Sequence, residues 1–342
     1  MPNIPYNILF ALTLAALISY LVNYFIVRRA DILRLIDEPN HRSSHSIPTP
    51  RGGGLGILFG FTIGVIIAWS LSTNALLIDF VLLIGWILAA IGLYDDLVSC
   101  SAIVRLLFQM LAIVLLFTIL HYFSPGYTLT KSTLLSLSIL IIAFLSGVWL
   151  INLYNFMDGI NGFASSETIF VLLAASITLY CMGISSLVIP YMLILASACF
   201  GFLLWNFPRA KIFMGDTGSL FLGFIIAFFV FYTTLHHQLS IITWLIWLSV
   251  FWVDATYTLL VRLFSGQRFH TAHRSHHYQI IARRWHSHVK VVFAVVMYNI
   301  IWLLPLSYLS IRLSHLGVIW LAMAILPILL SCIAFGSGKN NQ

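Results

Sequence analysis

Eleven runs of apolar residues follow one another along the chain, each near the length of a bilayer-spanning helix. They lie near 7–27, 53–72, 76–94, 104–122, 132–151, 165–182, 187–205, 218–235, 240–261, 290–311 and 316–335. An apolar helix of about 20 residues crosses the hydrocarbon layer. In lipid the backbone must satisfy its own hydrogen bonds, so runs of this kind become helices. Of the 342 residues 61% are hydrophobic and only 8% charged, whereas about a quarter are charged in a soluble domain. The pattern predicts an all-α, polytopic integral membrane protein with about eleven transmembrane helices, or ten if one run does not span. It forms one domain over 1–342, because the longest polar interruption, near 263–289, is too short to bury a core of its own.

Charge then gives the sidedness. The first run is followed by Arg28 and Arg29 and has no Lys or Arg before it, the reverse of a cleavable signal peptide. It reads as a retained helix with its N-terminus outside. Alternation puts 28–52, 95–103, 152–164, 206–217, 262–289 and the C-terminal tail on one side. With residues at a run's edge counted to the nearer loop, that side holds fifteen of the seventeen Lys and Arg; only Lys131 and Arg312 fall on the other. The positive-inside rule makes the first side cytoplasmic. The net charge of +7 therefore reports orientation, and no nucleic-acid partner is expected. Cys100, Cys181, Cys199 and Cys332 are scattered without CxxC spacing and read as apolar packing residues.

The scarce acids and amides gather on that same face. "YDDL" places Asp95 and Asp96 side by side at a helix end, where two ionised carboxylates need a cation or solvent. "NLYNFMDGINGF" repeats Asn152, Asn155, Asp158 and Asn161 at spacing three, which shares a face on a helix. Such oxygens can hold a hard cation or grip a sugar and a phosphate; the plainer reading is a polar turn between spans. In "NFPRAKIFMGDTGS", Asp216, Thr217 or Ser219 can cap the next helix. There "GDTGS" presents N–H groups suited to phosphate, beside Arg209 and Lys211.

"HTAHRSHHYQ" packs His270, His273, His276 and His277 around Arg274. With few acids or cysteines nearby to complete a zinc set, phosphate binding is the better reading. "DEPNHRSSHSIPTPRGGGLGI" carries Arg42, His45 and Arg51 before Gly52–Gly54, which serve either a ligand or close helix packing. Asp254 lies inside a span, eight residues before Arg262, and either lines the site floor or makes a structural bond. Acids, amides, Gly turns and a His/Arg cluster on one face suit metal-assisted phosphoryl transfer to a lipid phosphate.

Taken in order, "YDDL", "NLYNFMDGINGFA", "NFPRAKIFMGDTGSLFLG" and "AHRSHHYQ" resemble the polyprenyl-phosphate N-acetylhexosamine-1-phosphate transferases, over about Asp37 to Gln279. The resemblance implies transfer of a sugar-1-phosphate from a UDP-N-acetylhexosamine to polyprenyl (undecaprenyl) phosphate, with release of UMP. It implies Mg2+, or Mn2+ in its place, ten or eleven helices, and active-site loops on the cytoplasmic face of a bacterial inner membrane; a homodimer stays open. Asp95 resembles the residue that deprotonates the lipid phosphate, with Asp96 beside it. Asp216 resembles the principal metal ligand, with Asp95 a second. Asn155, Asp158 and Asn206 resemble nucleotide-sugar and pyrophosphate residues. Asn152, Asn161, Arg51, His273, Arg274, His276 and His277 complete the expected substrate-binding set.

Two departures refine the branch. Many members carry Asp where this chain has Asn161. The muramoyl-pentapeptide branch usually has a Lys soon after its Asp pair and an "HHHE"-like motif, where this chain reads "DDLVSCS" and "HRSHHYQ". The His motif looks more like the branch that starts O-antigen-type surface polysaccharides, often with deoxy or amino-modified sugars. Direct attack by the lipid phosphate is favoured over a covalent Asp intermediate, since a phosphate near Mg2+ needs little activation. A cation-coupled transporter would place polar groups at mid-membrane, and an intramembrane metalloprotease would want HExxH on a helix; neither pattern is present.

Overall fold

The computed structural model describes residues 6–38, 47–69, 75–124, 133–267 and 273–339. Arg42, His45, Lys131 and His270 lie outside them. In chain order the helices are α1 (Tyr6–Leu33), α2 (Gly54–Ala68), α3 (Ala75–Val98), α4 (Ala102–Phe123), α5 (Thr133–Met157), α6 (Phe163–Cys181) and α7 (Ile189–Asn206). They continue as α8 (Gly215–Leu235), α9 (Ile241–Trp247), α10 (Ser249–Phe264), α11 (His277–Trp285), α12 (His288–Tyr298), α13 (Leu304–Arg312) and α14 (Gly317–Phe335). A one-turn π-bulge, Asn299–Leu303, joins α12 to α13. The loop after α1 closes with a two-residue antiparallel ladder, Ile36–Asp37 on Thr49–Pro50.

Among the described residues nine helical segments are long and apolar enough to cross a membrane, or ten if α9 and α10, bent by 78°, count as one broken span. The run expected over 53–72 is the shorter helix α2, of 15 residues. These account for the eleven runs, and the protein is an all-α polytopic membrane protein.

α8 is the most enclosed span; it packs against α2, α3 and α5. In lipid, apolar surface gives helices little reason to associate, and close backbone approach does that work instead. Gly56, Gly60 and Gly64 repeat at spacing four on α2, facing Asn23 and Ser19, Ala15, and Ile194 respectively. At the start of α2 Gly54 meets Gly218 so closely that a Cβ on either would overlap the other's backbone, and Gly92 of α3 meets the backbone of Asp216 in the same way. The Gly52–Gly54 run therefore serves helix packing.

Two loops are shorter than the sequence suggests. α3 runs on through Asp95 and Asp96, and α5 through Asn152 and Asn155. The polar residues extend the helices because their side chains bond across to neighbouring helices.

Candidate active site

Four helix ends meet at one point. Asp95 sits on the last turn of α3, and the three-residue return to α4 brings Arg105 back beside it. Asp95 accepts from the Cys100 N–H and, at 2.6 Å, from Arg105 Nη1. The same guanidinium nitrogen bonds Asp216 on the first turn of α8. Asn155, near the end of α5, donates to Asp216 Oδ1 at 2.8 Å and to Ser219 Oγ at 3.1 Å. Asp158 follows in the turn after α5. Burial first, then the Asp216 and Asp96 carboxylates, push its carboxyl well above the usual range, while the Gly215 N–H pulls the other way. Asp95, Asp158, Asp216 and Asn155 thus form one cluster, and Arg105 is its counter-charge.

Sequence reasoning left Arg105 out of the site. Its signal was local: a cation ten residues after Asp95, at the start of the next helix, must return to the same end of the pair. The cluster's chemistry suits a hard divalent cation, since every acceptor is oxygen. Arg105 already stands as a cation between Asp95 and Asp216. Those two carboxylates would hold a metal; among the described residues, no three His, Cys, Asp or Glu side chains converge as a ready-made ligand set.

Six other expected residues are engaged outside this set of side chains. Asp96 is buried and accepts the N–H groups of Asp216 (3.1 Å) and Thr217 (3.2 Å) and the Thr217 hydroxyl (2.8 Å). It caps α8 from α3, so the first-turn N–H groups expected to cradle phosphate are taken. Asn152 donates to Gln109 of α4 at 2.6 Å and to the Val148 carbonyl. Asn206 is buried; it accepts the Gly162 N–H and donates to the Ile212 carbonyl at 2.8 Å, pinning two loops together. His276 is buried with Nδ1 3.5 Å from Asp254. His277 turns toward α14, with Nε2 2.9 Å from Ser331 Oγ. Arg51 lies within electrostatic reach of Asp96, and its backbone N–H bonds the Leu35 carbonyl at 2.8 Å.

Asp254 proves structural. Its carboxylate accepts the N–H groups of His277 (2.8 Å) and Tyr278 (3.0 Å) and the Thr258 hydroxyl (3.1 Å). It caps α11 from inside α10, and Tyr278 ties α11 to the end of α5 through the Phe156 carbonyl at 2.8 Å. Burial, with His276 and Arg262 nearby, pushes His273 down to about 3; this ring is neutral at physiological pH.

Beside Asp158 opens a cavity of about 650 Å³ lined by Asn161, Arg209, Arg274, Gln279, Arg283 and His288, among others. His288 Nδ1 accepts the Asn161 N–H. Lys211 faces elsewhere, over the Trp205 ring. On the membrane side an apolar groove of about 560 Å³ runs between α5, α8 and the broken α9–α10 span, past Trp149, Phe231, Trp244, Trp252 and Leu263. It also touches Leu153, two residues before Asn155. Neither lining includes Asp95, Asn155, Asp158 or Asp216, and Leu153 stands about 200° around α5 from Asn155, so the groove follows the face of α5 turned away from the acid cluster.

The sequence profile of glycosyl transferase family 4 matches residues 78–234. A Bacillus subtilis protein named "Probable undecaprenyl-phosphate N-acetylglucosaminyl 1-phosphate transferase" is 29% identical over 337 residues, covering 96% of this chain and 92% of that protein. A decaprenyl-phosphate N-acetylglucosaminephosphotransferase of Mycobacterium leprae is 32% identical over 241 residues. That match covers 62% of this chain and 58% of the relative, a little over half its length. A phospho-N-acetylmuramoyl-pentapeptide-transferase of Moorella thermoacetica is 44% identical, but over 82 residues, 24% of this chain and 26% of that protein.

Proposed function

We propose, from the match of residues 78–234 to glycosyl transferase family 4 and the similarity to polyprenyl-phosphate N-acetylglucosamine-1-phosphate transferases, that the chain is a member of that family and moves a HexNAc-1-phosphate from a UDP-sugar to undecaprenyl phosphate, releasing UMP. It is a phosphoglycosyl transferase and a multi-pass membrane protein. The observation that carries the finer reading is the convergence of Asp95, Asn155, Asp158 and Asp216 around Arg105 at four helix ends.

In this reading Arg274, Arg283 and Arg209 receive the donor's diphosphate from the cytoplasmic side, since guanidinium pairs well with phosphate. The apolar groove receives part of the polyprenyl chain, and the lipid phosphate meets Asp95 and Asp216. Asp95 and Asp216 would hold Mg2+, which when bound neutralises charge on the diphosphate. Asn155 fixes the rotamer of Asp216. Asp95 is the candidate to take the proton of the lipid phosphate, while Asp158, whose proton affinity is raised by its surroundings, keeps its own. An oxygen of that phosphate attacks the sugar-bearing phosphorus. The bond from that phosphorus to the bridging oxygen breaks, and UMP leaves with the bonding pair.

The longer matches to N-acetylglucosamine-1-phosphate transferases support a HexNAc donor over a muramoyl-pentapeptide one. The His motif is what favours a role at the start of lipid-linked, O-antigen-type surface polysaccharide. The test is UMP release when purified protein meets UDP-GlcNAc, Mg2+ and undecaprenyl phosphate, with mass analysis of the lipid product. No UMP from any of a panel of UDP-HexNAc donors would overturn the reading.

A further inference from the structure

Beyond Phe335 the chain turns back over the histidine loop. Gly336 is left-handed at the end of α14, and the Gly336 and Ser337 N–H groups bond the Ile333 and Cys332 carbonyls. That much is an ordinary helix C-cap. The next contacts are not needed to end a helix. Ser337 is fully buried, and its Oγ lies 3.4 Å from His277 Nδ1. The Gly338 N–H donates to the Ser275 carbonyl at 2.9 Å. The Gly338 carbonyl accepts from Gln267 Nε2 at 3.2 Å, and Gln267 in turn accepts from Arg262 at 2.8 Å. His277 is held on its other nitrogen by Ser331. Both ring nitrogens of His277 thus engage α14 or the turn after it, and neither faces the donor cavity.

We propose that Gly336–Gly338 is a latch that fixes the loop 273–277 and the start of α11, making Ser337 and Gly338 positioning residues for donor binding. The inference rests on the donor reading of the basic cavity. Arg274 stands in the latched loop, and Gln279 and Arg283 stand on α11, all three lining that cavity. Asp254 holds the first turn of α11 from within the membrane; the latch holds it from the cytoplasmic end. The apolar groove has no lining residue in either latched segment, so lipid binding is not part of the effect. Gly338 is specifically required: at φ +79 a Cβ would meet the Thr258 carbonyl at 2.7 Å and Val261 at 2.8 Å.

The test compares Ser337→Ala, Ser337→Thr and Gly338→Val with the wild type in detergent. Hydrogen exchange over 273–281 is read first, then KM for UDP-GlcNAc and for undecaprenyl phosphate. Ser337→Ala and Gly338→Val are expected to speed exchange in that stretch. They should raise KM for UDP-GlcNAc roughly three- to tenfold, the worth of one buried hydrogen bond, and leave KM for the lipid unchanged. Ser337→Thr should restore both. Unchanged exchange in both disrupting variants would overturn the latch, as would equal changes in the two KM values with a general loss of melting temperature. If the wild type itself turns over no UDP-HexNAc, the donor reading fails, and exchange alone decides whether the latch exists.

Discussion

Asp96 on α3 accepts three hydrogen bonds from the first turn of α8, two from the backbone N–H groups of Asp216 and Thr217 and one from the Thr217 hydroxyl. Asp95, its neighbour in sequence, instead faces Arg105. The pair divides its work, one carboxylate building the site and the other lining it.

Asp96→Ala should therefore act on stability. It leaves the Asp216 and Thr217 N–H groups without that acceptor, the Thr217 one buried, at a cost of about 1–3 kcal/mol for the buried group. The expected result is a lower melting temperature in detergent without substrate or metal. Asp95→Ala should lose turnover with a smaller drop in melting temperature. Equal melting temperatures for the two variants would contradict the division.

Arg105 is the sole side chain among the described residues that bonds both Asp95 and Asp216. Its removal leaves like charges facing one another, and a cation that binds the folded state would restore the loss. Arg105→Ala should melt lower than wild type in EDTA and gain more than wild type on Mg2+ addition. Asp216→Ala should stay folded, lose Mg2+-dependent turnover and gain least from Mg2+. A larger Mg2+ gain in Asp216→Ala than in Arg105→Ala would reverse the assignment.

The raised proton affinity of Asp158 has a definite sign for stability. Above about pH 4 an unfolded carboxyl is ionised while the folded one still holds its proton. The unfolded state then binds fewer protons, so stability falls as pH climbs from there until the folded group also ionises. Asp158→Asn removes that penalty: it should raise the melting temperature at pH 7, flatten its fall with pH, and abolish turnover. Asn161 bonds the Pro208 carbonyl and lines the cavity wall, so Asn161→Ala should cost less activity than Asp158→Ala. The opposite ranking would move the reaction centre toward the cavity.

Asp254→Ala should loosen α11 without touching the acid cluster. The variant loses the cap on two backbone N–H groups and the partner of a buried histidine. A fall of about 2–4 kcal/mol in stability is expected from breaking such a network, measured by thermal unfolding. UMP binding should weaken with it. An unchanged melting temperature would remove Asp254 as the cap.

The spans were legible because lipid admits few solutions: an apolar run of bilayer length has to be a helix. The polar islands were legible too, since a chain with 8% charged residues concentrates them where they are used. The sequence could not show where α5 and α3 end. Asn152 and Asn155 look like loop residues until Gln109 and Asp216 arrive as partners from other helices. Nor could it show that His277 faces α14 while Arg274 lines the cavity.

The sequence by itself determined the class, the span order and the set of polar segments that could meet at one face. Tertiary structure alone decided which member of each segment faces the site. Adjacent residues on a helix point about 100° apart, so Asp95 and Asp96 share a motif yet meet different neighbours. Which direction is solvent and which is a buried helix N-terminus depends on where α8 packs, and that is fixed by close contacts such as Gly92 against Asp216, between residues more than a hundred positions apart.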